Sequence, residues 1–221
     1  MRRLVVGLAM TAGLAACGSA PAPAPVDAAN SARELNPADV VRVHSKLPPG
    51  YEIADLRGPL SSVSLWGFGT GWSADPRRCV DLADPSPSDR GARGLSASGP
   101  GGTVYVAVVT AAPPGPDLLA QCIQWTMLFV HTSAQVRRTD APVIAGAVTV
   151  AWDAATRTIV ESGAETNSEV STAVAYLDQH AAFVTVVTDP GSPHPPLGPV
   201  YVAKLLKATV AQLRGAAGSG G

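Results

Sequence analysis

Charge, aromatic rings and cysteines are all scarce in this sequence. Sixteen Lys and Arg stand against 17 Asp and Glu among 221 residues, a formal net charge of -1 that falls to -3 without Arg2 and Arg3. A nucleic-acid partner calls for a basic face or stripe, and there is none to form one. Three cysteines are too few for a zinc framework or a disulfide-dense scaffold. His44, His131, His180 and His194 show neither a helical i, i+4 pair nor a neighbouring cysteine pair, so no metal site is expected. There is no apolar run of the roughly 20 residues that a membrane-spanning helix requires. Neither a Gly-x-Ser-x-Gly elbow nor a Ser-x-x-Lys is present, so no catalytic residue and no cofactor are assigned and the chain is not read as an enzyme. With only four Trp, four Tyr and three Phe, any place where aromatics gather stands out.

The amino terminus does carry a signal. Arg2 and Arg3 precede an apolar stretch, Leu4 to Met10, and small residues up to Ala16, the build of a secretory leader over residues 1–16. Leu14, Ala15, Ala16 and Cys17 resemble the lipobox of bacterial lipoproteins. That resemblance implies acylation of the Cys17 thiol, palmitate being a typical chain, cleavage before it, and a lipid anchor on the extracytoplasmic face of the cell membrane. Each buried CH₂ would contribute about 0.8 kcal/mol, so two or more chains hold durably where one does not. Residues 17–35, CGSAPAPAPVDAANSAREL, alternate Ala and Pro and read as a stalk. At about 3.1 Å per residue, the 18 residue-to-residue steps from Cys17 to Leu35 could extend up to roughly 50 Å.

Residues 36–214 hold enough Val, Ala, Leu and Thr for one domain, and residues 215–221 read as a flexible tail. Asn36 as cap, Pro37 at the first position and Asp39 in the first turn predict a helix over 37–46. Strands are expected at 51–56 and 62–68, followed by a long Gly, Pro and Asp-rich loop. TVYVAVVTA, at 103–111, is apolar on both faces and predicts a strand buried on both sides. From Pro116, Leu118, Cys122, Trp125 and Phe129 fall four, three and four apart, with Leu119, Ile123, Met127 and Val130 alongside, which predicts a helix running through Val130. Strands follow at 134–138, 146–152 and 157–161, the last two joined by a turn at Asp153 to Thr156. A pair at 169–177 and 182–188 comes next, then a closing helix to about 214 through Val202, Leu205, Leu206, Val210 and Leu213. This order predicts an α+β fold with a mostly antiparallel sheet and helices packed on one face.

With Cys17 assigned to lipid, Cys79 and Cys122 remain as an even pair in an exported chain and predict a disulfide. Trp66, Phe68 and Trp72 are interleaved with glycines in WGFGTGW, and Arg77 and Arg78 follow. Aromatics offer flat contact area, glycines let a ligand approach the backbone and arginines hold an anion, so these five residues are the expected ligand-binding site. The competing reading makes the tryptophans core and the glycines turns. Glu161, Glu165 and Glu169 read as a solvated acidic edge, and Asp81, Asp84 and Asp89 lack the glycine and glutamate of a calcium loop.

The lipobox, the Ala/Pro stretch, LPPGYEIADLRGP and WSADPRRCVDLADP together resemble a family of actinobacterial, chiefly mycobacterial, lipoproteins of unknown function. Less closely, the chain is similar to the extracellular sensor domain of the mycobacterial receptor kinase PknH. The resemblance implies an α+β domain with a cleft, acting as a ligand-binding or sensor-like accessory module of the cell envelope. Its partners would be the membrane, through the anchor, and a small-molecule, cell-wall or protein ligand. The alternatives are a cell-envelope enzyme of unrecognised type and a lipid carrier with an internal apolar cavity.

Overall fold

The computed structural model describes residues 35–215. Cys17, the 1–16 leader, the stalk up to Glu34 and the tail beyond Gly215 lie outside the described residues. The chain enters the fold as its first residues predict: Asn36 Oδ1 accepts the Ala38 N–H at 3.1 Å and Asp39 pairs with Arg42 at 3.2 Å. The helix Pro37–Lys46 is a 3₁₀ helix. Its two buried residues, Val40 and Val43, are three apart, and about three residues per turn puts them on one line.

The elements that follow are β1 (Glu52–Arg57), β2 (Ser73–Asp75), α1 (Val80–Ala83), β3 (Arg93–Gly99), β4 (Gly102–Thr110), α2 (Pro116–Gln121), β5 (Gln124–Phe129), β6 (Thr132–Thr139), β7 (Val148–Ile159), β8 (Glu165–Leu177), β9 (His180–Val187) and α3 (Pro199–Leu213). The nine strands form one antiparallel sheet in the order β1-β3-β4-β9-β8-β7-β6-β5-β2. The fold is therefore the mostly antiparallel α+β class read from the sequence. In β4, Val104, Val106 and Val108 point to one face and Ala107 and Val109 to the other, and both sets are buried. The first face packs against the two long helices, through Val40 and Val43 of the first and Val202, Leu205, Leu206, Val210 and Leu213 of α3. The second face is covered by the segment from Leu60 to Ala92, with short helical turns and α1 in it, and by the end of α2. Two-sided burial accounts for the unbroken apolar run of β4.

Three expected elements are corrected. The strand at 62–68 is a 3₁₀ turn, Ser64–Trp66, because Gly67 takes a φ of 91° and reverses the chain. The helix from Pro116 ends at Gln121, and residues 124–129 form β5, with Trp125 and Met127 inward and Gln124 and Leu128 outward. Its apolar residues satisfy a helical period and a strand period at once, and pairing with β6 decides between them. The turn expected at Asp153 to Thr156 is instead continuous strand within β7, where Ser171 Oγ donates to Asp153 Oδ1 at 2.7 Å and accommodates the acid. Two strands have no counterpart in the sequence reading: β2, inside the long loop, and β3, between that loop and the strand expected from 103.

Candidate functional site

The segment covering the second face is fixed by polar contacts with local sequence origins. Ser61 Oγ donates to Asp84 Oδ2 at 2.5 Å, the Ser62 N–H donates to Asp84 Oδ1 at 3.3 Å, and Ser62 Oγ donates to the Ala83 carbonyl. Burial pushes the Asp84 carboxyl above its ordinary value, against the opposing pull of those Ser61 and Ser62 hydrogen bonds. Asp89 accepts the N–H groups of Gly91 at 2.7 Å and Thr110 at 2.5 Å. Partial desolvation works against its charge, but these backbone donors prevail and hold its carboxyl below the usual range. Cys79 and Cys122 form a disulfide, Cα to Cα 5.6 Å, with both residues fully buried. Arg138 Nη1 donates to the Leu119 carbonyl at 2.6 Å, holding the other side of α2 to β6.

This frame divides the five site residues read from the sequence. Trp66, 6% exposed, and Phe68, 1% exposed, are core, their rings edge to face with centroids 6.2 Å apart. Trp72 continues the stack, 6.3 Å from Phe68, but is only partly buried. Gly69 is glycine because Phe129 packs onto it: a Cβ there would come within 2.6 Å of the phenyl ring. Arg77 and Arg78 sit on the exposed 3₁₀ turn that ends at Cys79. Trp72, Ser73, Arg77, Arg78 and Asp81 line an open groove of about 720 Å³. Arg78 Nη1 reaches Gln121 Oε1 at 3.5 Å, and among the described residues neither arginine is within ion-pair distance of an acid. The groove thus joins an aromatic side, two guanidinium groups without an acid partner and the Asp81 carboxylate on a stapled backbone. Such a surface suits a ligand with an anionic group beside flat or apolar area. Ser73 and Asp81 belong to the groove as well; no sequence pattern marks them, because the strand and turn that bring them to the arginines are only a few residues long.

The other polar groups do not converge with it. Glu165 pairs with Arg157, whose Nε donates to Oε2 at 2.9 Å; that hydrogen bond lowers the glutamate and raises the arginine. Glu169 lies with Gln124, Gln135, Arg137, Asp153 and Ser171 around a cleft of about 510 Å³ on the sheet face carrying α3. Those side chains are the outward members of alternating strands; of them the sequence singles out only Glu169 for its charge, as part of a solvated acidic edge. No group of three potential metal ligands forms among the described residues, and none of their helices is long and apolar enough to cross a membrane.

An uncharacterised protein of Mycobacterium smegmatis, the ortholog of Rv0999, has a similar structure: 21% identity, TM-score 0.61, covering 83% of this chain and all of the other. The extracellular domain of PknH from Mycobacterium tuberculosis aligns at 13% identity and a TM-score of 0.47 over 82% of this chain and 92% of its own. No curated protein matches. A family model matches residues 36–214, and the chain belongs to that family, described as a domain of unknown function, DUF5642.

Proposed function

We propose that this protein is an extracytoplasmic ligand-binding module, tethered to the cell membrane by acyl chains on Cys17, and that the Trp72, Arg77 and Arg78 groove takes an anionic ligand from the cell envelope. The supporting observation is the pair of exposed arginines without a carboxylate partner, set beside a partly buried indole on backbone fastened by the Cys79–Cys122 bridge. A stapled backbone lowers the ordering cost of binding, and free guanidinium groups offer forked donors to a carboxylate or phosphate. The leader and lipobox read in residues 1–17 support the tether and the compartment, and a buried disulfide suits an oxidising one.

Native mass spectrometry of the chain purified from its own envelope tests the ligand. Under this reading the wild-type chain carries an anionic adduct that is lost from Arg77→Ala/Arg78→Ala and weakened in Trp72→Ala. Equal adducts on all three, or bare masses throughout, would remove the groove from the account.

A further inference from the structure

The end of the sheet beside this groove has an unusual surface. The β5–β6 turn at Val130 and His131 and the β7–β8 turn that begins at Val160 lie side by side, joined by the Ile159 N–H donating to the His131 carbonyl at 2.9 Å. Val130 is 81% exposed, and Leu128, Ile159 and Val160 are exposed around it. Phe129, Val130, Ile159 and Val160 line a shallow groove of about 390 Å³ between the two turns. The backbone gives no reason for a valine at the apex. Val130 takes a φ of 46°, where β-branched residues are genuine outliers and where Asn or Gly would close the turn without strain. An apolar branched side chain is thus held in water against its backbone preference.

We propose that this ridge is a bilayer-contacting tip, inserted into the membrane interface by the tethered domain. The inference rests on the Cys17 tether proposed above. A specific protein interface needs about 800 Å² on each partner, whereas the exposed apolar surface here is four side chains, Leu128, Val130, Ile159 and Val160, on and beside two adjacent turns. A shallow apolar insertion too weak to hold a free domain becomes effective when a tether keeps it near the surface. If residues 17–35 extend as their Ala/Pro sequence suggests, roughly 50 Å would exceed the width of nine strands, about 40 Å at 4.8 Å per strand. Among the described residues no cationic patch surrounds the ridge, since Arg157 is paired with Glu165 and the remaining ionisable neighbours are His131 and the uncompensated Glu161 carboxylate. Insertion is therefore driven by apolar burial and does not require anionic lipid.

The test places a nitroxide label at position 130 or 160 through Val130→Cys or Val160→Cys, with Val143→Cys as the control. Val143 is 88% exposed in the β6–β7 connection at the opposite end of the strands. Each variant is the chain from residue 17 onward carrying Cys17→Ser, so that one thiol takes the label, with an amino-terminal hexahistidine tag that holds it on phosphatidylcholine vesicles containing nickel-chelating lipid. The tether then does not depend on acylation. Collision with oxygen, which concentrates in lipid, is compared with collision with a water-soluble paramagnetic complex. The expected result is a several-fold rise in the oxygen preference at 130 and 160 but not at 143, unchanged by phosphatidylglycerol or by high salt. Labels at 130 and 160 that stay as aqueous as the label at 143, or that move only when anionic lipid is present, would overturn the proposal. Fatty-acid labelling of the unmodified chain reports separately on the tether, so failure of one idea is not mistaken for failure of the other.

Discussion

Val130 and Asp84 each set their own preference against the place the fold gives them. Val130→Asn would suit the positive φ and is expected to raise stability by about 1 kcal/mol. A denaturant midpoint that falls would show that the valine is packed into the fold after all. Asp84 has a folded pKa above its ordinary value, so the fold favours the protonated acid. Its stabilising contribution is complete below the ordinary value near 3.8 and is lost as pH rises through the raised folded value. Asp89 has the opposite sign: its contribution is present above the ordinary value and is lost as pH falls through its lowered folded value. Comparing the pH dependence of unfolding in Asp84→Asn and Asp89→Asn with the wild type separates the two, and difference curves of the same sign would contradict this assignment. Neither role was legible in the sequence, where Asp84 and Asp89 are two acids of a polar loop; the burial that raises Asp84 comes from the fold, and its partners Ser61 and Ser62, like the Thr110 that lowers Asp89, are about 20 residues away.

Among the elements, those with an unambiguous local signal were legible. Asn36-Pro37 marks the first helix, the Val202 to Leu213 rows mark α3, and the two-sided apolar runs mark β4 and β9. Elements whose pattern serves two periods were not: residues 118–130 fit a helix and a hairpin equally until β6 pairs with β5. The hairpin lacks Asn-Gly and turns through Val130 and His131, so the strongest local turn cue is missing. The same limit splits the five residues expected to bind a ligand. Arg77, Arg78 and Trp72 were marked by type and clustering, but burial of Trp66 and Phe68 depends on how the 60–92 segment lies over the sheet. That arrangement makes two predictions. Reducing the Cys79–Cys122 bridge, which closes a separation of 43 residues, should cost up to about 4 kcal/mol by the chain-entropy model. An unchanged urea midpoint under reductant would contradict this. Gly69→Ala should cost about 1–3 kcal/mol through its clash with Phe129, and Phe129→Leu in the same chain should recover part of it. Strict additivity in that double-mutant cycle would mean that the two residues do not press on each other.

For the whole molecule, a nine-stranded sheet covered on both faces presents its arginine groove and its apolar ridge side by side, with Ser73 lining both the groove and the cleft that runs to Val130. An acylated Cys17 would turn this pairing of features into a function, a domain kept within a stalk length of the bilayer where its anionic ligand would be met. Mass spectrometry of the amino-terminal peptide of the chain isolated from its own cells tests that claim most directly. The account predicts a chain that begins at Cys17 and carries the added mass of a diacylglyceryl group on that residue. A peptide that begins at Met1, or that contains Cys17 as a free thiol, would contradict it.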